Sequence, residues 1–262
     1  GCSAFDFRDP KLLRAGNKYW AIVTNMGSKG GQLLTFESDD LLHWRYKGVF
    51  LDGLDVMPEC VDLFSLNNTD MVILSLIGNP GTQYPHNRPT VLIHGRLDWA
   101  NATFTELGRD TLDYGFDFYA PQTFEDAKGR RILIGWMGLP DVEEEYTNPT
   151  AKDEGWQHCL TIPREITLHD GRLYQYPVEE MEALRGRCCE IDETQKNIEV
   201  WKPFELDLKL DSRKCRISVG DDLMFEADGR EACLRLSEKA GAGRKQRKAV
   251  IPSGRLKELR ML

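Results

Sequence analysis

The chain has 262 residues, 41% hydrophobic and 29% charged, with a net charge of -8. That length holds one large domain or two modest ones. A mean hydropathy of -0.46 with no apolar run near ~18 residues excludes a membrane-spanning helix, and the acidic balance (pI about 5.3) argues against a nucleic-acid or anionic-membrane partner.

Along the chain, Phe7-Arg8-Asp9-Pro10-Lys11 is followed by runs rich in β-branched and aromatic residues at 19–25 and 32–36. These predict strands, and the Gly-Ser-Lys-Gly-Gly stretch at 27–31 predicts a hairpin turn, since it lacks the spacing of a phosphate-binding loop. A second string, Met57-Pro58-Glu59-Cys60-Val61-Asp62, precedes predicted strands at 71–77 and 90–94, and a third, at 113–124, precedes one at 131–137. The strands starting at Tyr19, Met71 and Arg131 recur at spacings of 52 and 60 residues, with Asp9, Glu59 and Ala120 lying 10, 12 and 11 residues ahead of them. A fourth copy is predicted at Thr161-Ile162-Pro163-Arg164-Glu165, ahead of Arg172-Leu173-Tyr174. Repeats of roughly 50 residues holding several short strands predict an all-β fold of propeller-blade type, with the short strings converging on one pocket.

Past residue 177 the pattern changes. Val178, Met181 and Leu184 recur at helical spacing and predict a helix over 177–187. Strand-like alternation resumes at 204–210, 215–219 and 233–236, while the Gly-rich basic stretch 240–248 predicts a solvated loop. The expected organisation is therefore a β domain over 1–177, a helical linker over 178–189 and a smaller β domain over 190–262. The start at Gly1 and the end inside strand-like residues at 260–262 predict a chain cut at both ends.

The seven cysteines (2, 60, 159, 188, 189, 215 and 233) are odd in number and lack a Cys-x-x-Cys pair, which predicts reduced thiols in a cytoplasmic protein. His43, His86, His94, His158 and His169 are scattered, so neither a metal site nor another cofactor is expected. Trp44, Trp99, Trp156 and Trp201 are expected to pack in the core or between blades rather than to serve as sugar platforms, and Glu143-Glu144-Glu145 to form a solvated loop. Asp9 and Glu59 are the sharp candidates for chemistry. Two carboxylates on one pocket suit glycosidic cleavage, one giving a proton to the leaving oxygen and the other facing the cationic ring. Arg8 is placed to pair with Asp9, and Met57 and Val61 to surround Glu59 with apolar groups. On spacing alone, Asp9-Pro10 and Pro58-Glu59 read first as turn dipeptides, ahead of the catalytic reading.

The full strings go further. Phe7 to Lys11, then Pro58-Glu59-Cys60-Val61-Asp62-Leu63-Phe64, then Asp113 through Phe124 resemble glycoside hydrolase family 32, the invertases and sucrose-6-phosphate hydrolases. So do Gly129 through Gly138 and Leu160 through Glu165, in the same order. The resemblance implies a five-bladed β-propeller, its first blade missing here, followed by a partial β-sandwich. It also implies retaining hydrolysis of terminal β-fructofuranosyl bonds, with sucrose, sucrose 6-phosphate or fructan as the sugar partner. By motif match Glu59 would be the general acid/base and Asp9 the transition-state stabiliser. Arg8, Cys60, Asp117, Tyr119 and Trp136 would line the pocket.

Two departures accompany the match. The family's nucleophile is an Asp in an Asn-Asp-Pro motif, and that tripeptide does not occur in these 262 residues. The residues expected on this reading are catalytically silent alone, the alternative being a fructoside-binding propeller or one subunit of a split enzyme. In addition, Pro58 and Val61 stand where the family usually has Trp and Pro. Arg88, Lys152 and Arg164 are the loose candidates for a phosphate contact.

Overall fold

A computed structural model describes residues 3, 5–79, 84, 88–138, 150–192, 197–200, 203–210, 214–241, 244–251 and 258–261. The chain divides into two compact units, Gly1–Pro177 and Val178–Leu262.

The first unit is built from antiparallel sheets in chain order. Strands β1 (Phe7–Ala15), β2 (Lys18–Gly27), β3 (Gly30–Ser38) and β4 (Trp44–Leu54) form one sheet in sequential order. Strands β5 (Met57–Leu66), β6 (Thr69–Ile77), β7 (Thr90–Asp98) and β8 (Thr103–Thr111) repeat the same order. The third sheet takes β9 (Tyr119–Glu125), β10 (Arg131–Met137), β12 (Arg164–His169) and β13 (Arg172–Pro177), with the short β11 (Cys159–Leu160) also on β10. Every strand predicted before residue 138 lies inside one of these elements. Gly27 pairs with Gly30 across the expected hairpin turn, which the structure makes with the two residues Ser28 and Lys29.

The predicted fourth repeat is corrected. β12 pairs with β10 through Arg131, Ile132 and Leu133, and β13 pairs with β12, so both complete the third sheet. Recurrence of strand-like strings does not reveal which strand they join. Pairing is settled by where the chain returns to the sheet, here after the segment between β10 and β11.

The sheets stack through two apolar cores. Ile22, Leu33, Phe50, Val61, Val72, Leu74, Val91 and Ile93 form the one between the first and second sheets. Phe64, Met71, Ile73, Leu92, Phe118, Leu133 and Ile166 form the one between the second and third. Neighbouring residues of β6 serve opposite cores, Val72 and Leu74 on one side and Met71 and Ile73 on the other, because side chains alternate along a strand. This is why 71–77 is a nearly unbroken apolar run rather than an alternating one. Ile22 is fully buried in the first core. Ile22→Val, which removes one methyl, is expected to lower stability by about 0.5–1.5 kcal/mol, read as a shift of the urea midpoint.

In the second unit, β15 (Cys215–Val219), β16 (Leu223–Ala227), β17 (Glu231–Leu236) and β18 (Gln246–Val250) form a four-stranded antiparallel meander. β14 (Leu206–Lys209) pairs with β19 (Glu258–Met261). The predicted loop at 240–248 is replaced by the short helix α1 (Glu238–Gly241) and by β18. Arg247 and Lys248 sit on an edge strand, where Lys248 pairs with Glu231 at 2.7 Å, and charge on an edge is compatible with strand pairing. The helix predicted over 177–187 is a 3-10 helix, Glu179–Leu184, with no buried residue. Val178 and Met181 are only partly buried and Leu184 is 76% exposed, so the apolar spacing gains too little burial to sustain an α-helix.

Candidate active site

The site is assembled from the first strand of each sheet, β1, β5 and β9. Each carries a two-residue bulge. In β1 the register passes from Arg8 opposite Thr24 to Lys11 opposite Ile22, in β5 from Glu59 opposite Ser75 to Asp62 opposite Ile73, and in β9 from Tyr119 opposite Trp136 to Gln122 opposite Ile134. The first bulge residue is left-handed in all three, with φ of 55° at Asp9, 50° at Cys60 and 47° at Ala120. Positive φ on non-glycine residues costs of order 1 kcal/mol or more each and gathers at functional sites. Pro10 and Pro121 follow in two of the bulges, where a missing N–H removes no ladder bond. Asp9-Pro10 thus marks a kink within a strand, and the turn reading gives way to a bulge.

The bulges aim equivalent side chains at one another. Arg8, Glu59 and Tyr119 occupy the same place in the three repeats. Arg8 donates from Nε to Glu59 Oε1 at 3.1 Å, and the Tyr119 hydroxyl donates to Glu59 Oε2 at 2.8 Å. Asp9 Oδ2 accepts the Cys60 N–H at 2.9 Å and lies 3.7 Å from its Sγ. The backbone is held from behind: Thr24 Oγ1 donates to the Arg8 carbonyl at 2.7 Å, and Ser75 Oγ accepts the Ala120 N–H at 2.9 Å. Trp136 stands edge-on to Tyr119 with centroids 6.4 Å apart, and edge-on to His158 at 4.9 Å. A Cβ at Gly138 would run into the Trp136 indole, so that glycine makes room for the ring.

Two expected pairings are corrected. Arg8 pairs with Glu59 and with Asp6 (2.9 Å), not with Asp9. The adjacent residues of a strand point to opposite faces, so a neighbour in sequence is a poor partner. Met57 and Val61 are themselves buried, and the Glu59 carboxylate is held between a guanidinium and a phenol rather than among apolar groups. The repeat alignment also shifts by one: Glu59 matches Arg8, and Cys60 matches Asp9.

Electrostatics assign protonation states. Burial, and then the charge of Glu59, push the Tyr119 phenol well above its ordinary range, so it remains a neutral donor. Burial pushes the Cys60 thiol up to about 12, reinforced by Asp9 and Glu59. Cys60 is therefore a thiol rather than a thiolate at neutral pH, which removes it as a nucleophile. At pH 8 a thiolate-selective disulfide reagent is expected to label the exposed Cys159, Cys188 and Cys189 in the folded chain while sparing Cys60, which reacts only in urea; peptide mass spectrometry checks it.

Of the seven predicted site residues, Arg8, Asp9, Glu59, Cys60 and Tyr119 are brought into direct contact and Trp136 joins through Tyr119. Asp117 is half-buried in the segment leading into β9. Arg164 is engaged by Asp113 at 2.7 Å, by Gln175 at 3.0 Å and by the Phe118 ring at 5.0 Å. Arg88 lies near enough to Tyr119 to act on its phenol electrostatically, whereas Lys152 belongs to the π-turn Thr150–Glu154. Trp99 packs on Trp20, but Trp156 is largely exposed and bonds Glu154, contrary to its expected packing role. His86, Trp201, Cys2 and Glu143 to Glu145 lie outside the described residues. Among the described residues no group of His, Cys, Asp or Glu is arranged to hold a metal ion, and no helix is long and apolar enough to cross a membrane. Sequence reasoning missed Lys11, Asp62 and Gln122. An Asp inside the apolar run 61–64 was the available signal.

The family model for the glycosyl hydrolases family 32 N-terminal domain matches residues 3–177. The chain belongs to glycosyl hydrolase family 32. Among the relatives of this family 32 chain, a sucrose-6-phosphate hydrolase of Staphylococcus xylosus is 41% identical over 185 residues, covering 68% of this chain and 36% of the relative. One of Salmonella typhimurium is 36% identical over 244 residues, covering 89% and 51%. The structure of a sucrose-6-phosphate hydrolase from Lactobacillus gasseri superposes with a TM-score of 0.74 at 24% identity, over 97% of this chain and 56% of that one. A fructan 1-exohydrolase IIa from Cichorium intybus superposes at 0.69 with 17% identity, over 99% and 62%. These superpositions speak to the fold. The family 32 chain spans about a third to a half of the length of these curated relatives.

Proposed function

We propose that this site serves retaining hydrolysis of a terminal β-fructofuranosyl bond in sucrose, sucrose 6-phosphate or a related fructan. The observation that carries the reading is Glu59 held between Arg8 and Tyr119, one repeat strand away from Asp9 on its own bulge. Glu59 protonates the leaving oxygen and then activates the water that releases fructose from the enzyme. Tyr119 and Arg8 fix both of its oxygens, which limits the rotamers from which the proton is delivered. Asp9 faces the developing oxocarbenium charge and the sugar hydroxyls, with Cys60 beside it and Asp117 and Trp136 walling the pocket. The attacking carboxylate is the Asp of the family's Asn-Asp-Pro motif, which these 262 residues do not contain.

On the same reading, the three sheets are blades of a five-bladed propeller, 178–189 is a linker and 190–262 belongs to a β-sandwich. Free thiols at Cys60, Cys159, Cys188, Cys189, Cys215 and Cys233 support a cytoplasmic setting. No cofactor takes part.

The test is fructose release by the full-length protein from sucrose and from sucrose 6-phosphate, with NMR identifying the first-formed anomer. β-Fructofuranose is expected for double displacement. Residues 1–262 alone are expected to release none. Sugar binding by the full-length protein without turnover would favour the fructoside-binding alternative, and rapid cleavage by residues 1–262 alone would overturn the nucleophile assignment.

A further inference from the structure

We infer that Lys11, Asp62 and Gln122 are positioning residues that hold the Glu59 bulge for proton transfer, an inference that rests on the hydrolase reading. The three occupy one equivalent place, the residue after the bulge in β1, β5 and β9. They are the lower counterpart of Arg8, Glu59 and Tyr119, which occupy the place before it.

The contacts among them close a layer. Lys11 Nζ lies 2.6 Å from Asp62 Oδ1 and 3.2 Å from Gln122 Oε1. Asp62 is completely buried, yet both oxygens are satisfied: Oδ2 accepts the Thr123 N–H at 2.7 Å, and Oδ1 also accepts the Leu63 N–H at 3.0 Å. Gln122 Nε2 donates to the carbonyls of Cys60 at 3.0 Å and Val61 at 3.3 Å, the two residues of the β5 bulge.

A bulge leaves its extra residue without a ladder partner, so something else must fix it. In β5 the Cys60 N–H rests on Asp9 from the first repeat and its carbonyl on Gln122 from the third. Lys11 ties the first repeat to the second through Asp62 and to the third through Gln122, and Asp62 ties the second to the third through the Thr123 N–H. A buried ion pair contributes little net stability compared with apolar side chains of the same size, but it demands one geometry. Here that geometry decides where Glu59 points. A displacement of about 1 Å at a proton donor can cost about 100-fold in rate.

The experiment compares the full-length protein with its Gln122→Leu and Lys11→Met/Asp62→Leu variants on two substrates. Sucrose needs a proton from Glu59, whereas 4-nitrophenyl β-D-fructofuranoside departs as a stable phenolate and needs none. On sucrose, kcat/KM is expected to fall about 100-fold in the double variant and about 10-fold in Gln122→Leu, the loss residing in kcat. On the nitrophenyl substrate the losses should be no more than about a tenth as large. Equal losses on both substrates, or wild-type sucrose rates, overturn the inference; a merely structural role predicts the former. Gln122 is exposed, so its variant decides the matter even where the double variant does not fold. A parent protein that hydrolyses neither substrate overturns the hydrolase reading and this inference together, whereas an active parent with unaffected variants overturns this inference alone.

Discussion

Glu59→Gln in the full-length protein is expected to cut kcat on sucrose by about 10²- to 10⁴-fold, the range that general acid–base catalysis contributes. Gln matches Glu in size and still accepts the Tyr119 hydroxyl, so the pocket keeps its shape. What disappears is the exchangeable proton. Arg8 loses one of its two acceptors but keeps Asp6, at 2.9 Å, so stability should change by no more than about 1 kcal/mol. Steady-state kinetics beside a urea titration separate the two effects. A variant with wild-type kcat removes Glu59 from the acid/base role, and one that is inactive because it is unfolded is recognised by the titration.

Lys11→Met is expected to destabilise the fold by about 3–5 kcal/mol, among the largest effects available to a single substitution here. The reason is Asp62. Its side chain has 0% exposure, and Lys11 Nζ at 2.6 Å is its counter-charge. The two backbone amides on its oxygens lessen the desolvation but carry no charge. Removing the cation therefore strands a buried anion. By contrast, Lys18→Met breaks a solvent-screened pair with Asp39 that is 38% and 55% exposed, and should shift the urea midpoint far less. Urea unfolding of both variants is the check: equal losses would mean that the Lys11–Asp62 pair is effectively solvated. Replacing both partners, as in Lys11→Met/Asp62→Leu, should recover much of the loss.

The strands were legible where side chains alone dictate them. The run at 71–77 is apolar on both sides of its backbone because it serves two cores, and it reads as a strand before any partner is known. The helix at 177–187 misled because apolar spacing specifies an α-helix only when a surface receives it. The strand at 246–250 was hidden by its charges, which an edge position tolerates. The fourth repeat was miscounted because β12 and β13 carry strand-like strings yet complete a sheet already begun.

For the site, residue identities were within reach of the sequence and pairings were not. The strings around Asp9, Glu59 and Tyr119 name the carboxylates and the phenol, and their order along the chain marks the family. The one-residue offset that makes Arg8, Glu59 and Tyr119 equivalent comes from three bulges, and a bulge is visible only against its partner strand. Lys11, Asp62 and Gln122 stayed hidden for the same reason. The sequence by itself therefore determined an all-β chain of repeated sheets with two candidate carboxylates. Tertiary structure alone decided which groups share charge and hydrogen bonds, because those partners come from strands 51 or more residues apart, brought together only when the sheets stack.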